Sequence, residues 1–146
     1  MTVRSTAERR RDVLARLAGD VDAWVPSSSA DGRTHLVPLL FVWHGGRLSF
    51  ATSGRSVTAR NLARAGRARV ALGPTRDVVV VDGTVEVEPV GAVAPDLADA
   101  YTRVGWDPRE DSASVFLHVT PVRIQAWREA DELAGRDVMV DGRWLA

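Results

Sequence analysis

Residues 35–66, "HLVPLLFVWHGGRLSFATSGRSVTARNLARAG", decide the fold. The apolar run "HLVPLLFVW" (35–43), the triplet His44-Gly45-Gly46 and the run "RLSFAT" (47–52) read as strand, tight turn and strand. Helical spacing takes over from about Ser56 to Ala65, and Gly66 supplies a residue able to adopt the left-handed conformation that ends a helix. Hydroxyl residues and two arginines, Arg55 and Arg60, gather where this helix begins. A helix N-terminus carries unpaired N–H groups and the positive end of the dipole, so such a cluster suits an anion, typically a phosphate. Serine is also among the commonest N-caps, and for Ser56 both roles stay open.

Working outward, Ser5 followed by Glu8 makes a capping box, Val13, Leu14 and Leu17 share a face, and Gly19 closes the segment, so a helix is expected over about 5–18. "AWVPSSS" and an Asp31-Gly32 turn add a strand, giving three strands in meander order. Downstream, "ARVALG" (68–73) and "RDVVVVDGTVEVEP" (76–89) return to strand. In the second, Asp82-Gly83 reads either as a hairpin turn or as a bulge in one bent strand. Pro95 starts another helix, with Leu97, Tyr101 and Val104 on one face and Gly105 at its end. "SVFLHVTPVRIQAW" (114–127) reads as a long strand broken near Pro121, and Asp141-Gly142 predicts a short terminal hairpin. Closely spaced strands, few helices and repeated glycine turns predict a mainly β protein, a barrel with peripheral helices. Pro38 cannot donate to a ladder, so its strand lies at an edge or bulge and leaves nearby backbone groups free, either to read the polar edge of a planar heterocycle or merely to discourage aggregation.

Composition narrows the chemistry. A length of 146 residues, 45% of them hydrophobic, suits one domain spanning residues 1–146. Formal net charge is +0, so nothing overall favours nucleic acid or an acidic membrane. No apolar run approaches the roughly twenty residues of a membrane span, and the start is polar, so a soluble cytoplasmic protein is expected. The chain has no Cys, which excludes disulfides, thiol nucleophiles and Cys-ligated metal centres. All 19 basic residues are Arg, and the absence of Lys excludes Schiff-base chemistry and a Walker A loop. His35, His44 and His118 are too scattered to suggest a metal site, and no G-x-S-x-G elbow occurs.

The order of a D-G turn, a strand with V-P-L, a strand ending in A-T, an R-N-L helix and a strand through D-G-T-V resembles the pyridoxamine 5'-phosphate oxidase-like flavin-binding split barrels, including the flavin/deazaflavin-dependent oxidoreductases of actinobacteria. "VTPVRIQAW" looks like that family's penultimate strand, and the resemblance spans roughly residues 20 to 145. It implies a six-stranded split barrel that forms homodimers, with a flavin-type cofactor in each of two grooves between subunits. Thr52, Ser56, Thr58, Arg60 and Asn61 match the segment that holds the cofactor phosphate. His35, Leu36, Val37, Pro38 and Leu39 match the strand whose backbone lines the isoalloxazine ring, and Trp127 approaches the cofactor region, from this chain or its partner. Many relatives place Lys where this chain has Thr58, so Arg55 or Arg60 would supply the missing charge.

For several of these residues a second role stays open: a solvated charge for Arg60, a turn charge for Arg55, a loop contact for Asn61, a structural histidine for His35, and core or interface packing for Trp127 and Trp144. The resemblance implies an oxidoreductase that uses FMN, or alternatively a deazaflavin coenzyme, to reduce a small organic substrate, with no identifiable acid–base pair. The alternative is a non-catalytic module that carries or senses a flavin, a deazaflavin or a haem. A more remote one is a structural dimer whose groove binds nothing.

Overall fold

The computed structural model describes residues 2–146. Three helices, α1 (Thr6–Gly19), α2 (Val57–Ala65) and α3 (Pro95–Val104), surround eight strands: β1 (Asp22–Ser28), β2 (Thr34–His44), β3 (Arg47–Ser53), β4 (Arg67–Leu72), β5 (Val78–Pro89), β6 (Ser114–Trp127), β7 (Asp137–Val140) and β8 (Arg143–Trp144). All pairings are antiparallel, in the order β3-β2-β1-β4-β5-β6-β7-β8, and a further β3–β6 pairing closes the first six strands into the expected barrel. The closure is uneven. β5 and β6 share a long ladder, whereas β1 meets β4 at the single pair Trp24 and Ala71, and β2 keeps company with β3 only from Phe41 to His44.

Local chemistry explains most of the boundaries. Ser5 and Glu8 form the reciprocal capping box at the start of α1. Gly45 and Gly46 both have positive φ, as the tight β2–β3 turn requires, and Asp141 and Gly142 repeat this between β7 and β8. Ser56 caps α2, whose end is taken by a left-handed Gly66. At α1 the expectation fails: Gly19 is still helical, and the chain leaves through an extended Asp20. On α3 the buried residues are Leu97, Ala98 and Tyr101, while Val104, assigned to the same face, is exposed at the last helical position.

β5 is one strand. Asp82-Gly83 forms no turn; the register against β6 slips there because Val122 is an extra residue on the β6 side, next to Pro121. β6 therefore continues through Pro121 with a bulge where a break was expected. The freed Val122 carbonyl accepts from the Gly142 N–H at 2.8 Å, which ties the terminal hairpin to the bulge.

The barrel interior is filled by Val25, Phe41, Leu48, Phe50, Val70, Val81, Leu117 and Ile124, with Val13 and Leu17 of α1 and Leu62 of α2 plugging it from outside. A second apolar cluster of Ala51, Val90, Tyr101 and Phe116 lies on the outer face beneath α3. Bordering it, Ser49 Oγ is 2.7 Å from His118 Nδ1 and His118 Nε2 is 2.8 Å from Glu88, so a fully buried imidazole has a partner at each nitrogen.

Candidate cofactor site

β3 delivers the chain to α2 through Ser53–Arg55. Ser56 Oγ accepts from the Ala59 N–H at 3.0 Å, and Thr52 Oγ1 donates to Ser56 Oγ at 3.5 Å. The first turn of α2 holds no acidic residue, and Arg55 and Arg60 are exposed beside it. Among the described residues neither arginine has a carboxylate within ion-pairing distance; the nearby acids Asp31 and Asp82 face Arg33 and Arg69. A capped helix start with two unpaired guanidiniums nearby has the donors and positive charge that an anion would need.

Thr58 and Asn61 are buried on the inner side of α2, and Asn61 lines the same hollow as Arg60. Asn61 Nδ2 donates to Ser27 Oγ on β1 at 3.0 Å, so one donor of that amide is engaged within the protein. Arg64, one turn beyond Arg60, reaches the Ser28 carbonyl. Sequence reading passed over it, although its i+4 spacing from Arg60 places both on one helix face.

The second half of the site is β2. Residues 34–40 pair with β1 alone. Because the Phe41 N–H donates to Val21 O, alternation turns the backbone groups of Leu36, Pro38 and Leu40 to the free side. Pro38 therefore loses no ladder bond, and the edge it was expected to mark is real. Val37 and Leu39 are half-buried opposite Val25 and Ala23. Leu36 is 59% exposed and Trp24, on the neighbouring strand, 49%; with exposed Pro38 they form an apolar patch.

His35 borders a hollow of about 490 Å³ between the β1–β2 turn and α2, lined also by Arg33, Val57, Arg60 and Arg64. A second hollow, of about 580 Å³, continues past Asn61 and Arg64 to Arg67 and Arg69, over Gly83. Trp127 is not brought to this region by its own chain: it sits at the far end of β6 beside Thr75 and Arg76. The described residues contain no cluster of His, Asp and Glu able to hold a metal ion.

Residues 13–128 match the pyridoxamine 5'-phosphate oxidase family. The chain belongs to that family. Comparison with curated proteins yields no match. Among solved structures, an F420 reductase is 20% identical over 75% of this chain and 93% of its own, with a TM-score of 0.60. A pyridoxamine 5'-phosphate oxidase-related, FMN binding protein from Nostoc punctiforme is 15% identical over 83% and 78%, at 0.52. A heme binding protein from Mycobacterium smegmatis is 19% identical over 97% and 60%, at 0.66. These likenesses establish the split barrel, and their three different ligand names leave the choice to the residues present.

Those residues fit a phosphorylated flavin-type group: unpaired cations and a helix N-terminus for the phosphate, and a free strand edge with Leu36 N–H and the Leu36 and Pro38 carbonyls for a planar heterocycle. They fit a haem less well. His118 is enclosed with both nitrogens taken, His44 lies 3.4 Å from Asp96, and His35 alone borders a hollow. Among the described residues no helix is long and apolar enough to cross a membrane.

Proposed function

We propose that this protein is an oxidoreductase that binds FMN, or alternatively a deazaflavin coenzyme, and acts on a small organic substrate. The observation carrying this reading is the adjacency of the unpaired cationic start of α2 to the one-sided stretch of β2. When bound, such a cofactor supplies the hydride chemistry. The chain's part is to bind, orient and exclude water. Arg55, Arg60, Thr52 and Ser56 hold the phosphate end, and the backbone of His35–Leu39 aligns the ring.

The site is open on the side of Trp24, Leu36 and Pro38, and the reading includes a homodimer that covers this patch. Trp127 of the partner subunit is then free to approach the ring. We read the protein as cytoplasmic.

One observation favours the deazaflavin alternative. The basic hollows run on from Arg60 past Arg64 to Arg67, beyond the reach of a single phosphate, and suit a longer anionic tail. The discriminating experiment is a paired fluorescence titration with FMN and with the deazaflavin coenzyme. Tighter binding of either is the expected result and selects the cofactor, while turnover with its reduced form establishes the enzyme over a carrier. Failure of both to bind overturns the proposal.

A further inference from the structure

The β2–β3 register ends at Phe41 and Phe50. One step further it would pair Leu40 with Ala51, and there the ladder stops. The Tyr101 hydroxyl of α3 stands between them, accepting from the Ala51 N–H and donating to the Leu40 carbonyl, each at 3.3 Å. These are the groups that an antiparallel ladder would have joined to each other. The phenol is fixed from several sides: it is 1% exposed, with Phe116 edge-on at 5.3 Å and Trp106 at 6.2 Å. Burial pushes its pKa up from the ordinary value, so it remains a donor at neutral pH. The end of α3 also sits on Leu40: a Cβ on Gly105 would stand 2.8 Å from Leu40 Cδ1.

Both halves of the cofactor site begin at this point. The ring-lining stretch His35–Leu39 precedes Leu40, and Thr52–Ser56 follows Ala51. We propose that Tyr101 is a positioning residue that keeps the barrel split at the width the cofactor needs, by replacing a ladder bond with a hydroxyl bridge. This inference rests on the cofactor reading above. Without the hydroxyl, the Leu40 carbonyl and Ala51 N–H are left to satisfy each other, and the strands close together. Each half of the site keeps its own groups. What is lost is their simultaneous engagement by one ligand.

The test is Tyr101→Phe, titrated with FMN and with riboflavin, which lacks the phosphate; if the deazaflavin coenzyme is the tighter ligand, that coenzyme and its phosphate-free core are used. We expect FMN affinity to fall about tenfold or more and riboflavin affinity by less than about threefold, collapsing the ratio between them. Phe116→Leu, which loosens the same cluster but keeps the hydroxyl, should lower the melting temperature and leave the ratio unchanged. A Tyr101→Phe protein with an unaltered ratio makes the residue merely structural and overturns the proposal. Should that variant not fold, Tyr101 is the only tyrosine in the chain, so 3-fluorotyrosine labels it alone in the otherwise native protein. Its ¹⁹F resonance should move when FMN binds, and a resonance that stays in place overturns the proposal. Wild-type protein that binds neither cofactor refutes the underlying reading before any variant is made, and the proposal falls with it.

Discussion

Asn61 donates from Nδ2 to Ser27 Oγ across 3.0 Å, joining α2 to β1 at the level of the proposed phosphate contacts. The bond holds the cationic turn against the strand pair that presents the ring-lining edge. Asn61→Ala should cost about 1 kcal/mol of stability, measured by urea unfolding. Asn61→Asp adds a carboxylate beside the anion site, so its FMN affinity should fall well below that of Asn61→Ala. Equal affinities for the two variants would show that this side chain faces away from the anion.

Arg60 is exposed and unpaired, so its removal should leave the fold intact. Arg60→Ala is expected to weaken FMN binding by about 1.5–3 kcal/mol, the range of a charge-assisted hydrogen bond, with an unchanged melting temperature. Arg64→Ala should barely alter FMN binding and should weaken the deazaflavin coenzyme more, if a long anionic tail follows the groove. Titrations at two salt concentrations check both, because the lost interactions are ionic.

Acid stability should depend on Glu132. Its carboxylate receives the Arg4 guanidinium at 2.8 Å and two backbone N–H groups, and hydrogen bonding from Arg4 lowers its pKa from 4.5 to about 2. A depressed folded pKa contributes stability that is fully present above the unfolded value and is lost as pH falls from about 4.5 towards 2. With an allowance for solvent screening, that contribution is about 2 kcal/mol. Glu132→Gln should be less stable at neutral pH and show a flatter stability profile between those limits, as followed by denaturant titration at several pH values.

Gly83→Ala should be among the most damaging single-methyl additions. The new Cβ would stand 2.7 Å from Val119 Cγ1 and 2.4 Å from the Thr120 carbonyl oxygen, which is strand backbone and cannot rotate aside. A loss of about 2 kcal/mol or more is expected, with Gly91→Ala, whose Cβ meets nothing within 4 Å, as the near-neutral control. Urea midpoints that coincide for the two variants would show that the bulge relaxes freely.

Elements that carry their own punctuation were legible: Ser5 with Glu8, Gly45-Gly46, Gly66 and Asp141-Gly142 each state a local geometry in a few residues. Where a residue answers to a distant neighbour, local reading fell short. Asp82-Gly83 reads locally as either a turn or a bulge in one strand, and the choice of the continuous strand goes with the close approach of Thr120 and Val119 to Gly83, which no local rule contains. Gly19 matched a helix-ending pattern, but Asp20 leaves in an extended conformation and no left-handed residue is needed. In the site, the α2 turn and the Pro38 edge were visible as residue types in order. The Tyr101 bridge was not, because it joins residues 40, 51 and 101 and appears only once β2 and β3 have diverged.

The Ser49–His118–Glu88 chain has the separations of a hydrolase triad, with 2.7 Å and 2.8 Å links. Ser49 nevertheless has no exposed surface, so no acyl group can reach its oxygen. A geometric template for serine nucleophiles would select this protein and be mistaken. Reagents such as fluorophosphonates, which report accessible activated serines, should leave it unlabelled.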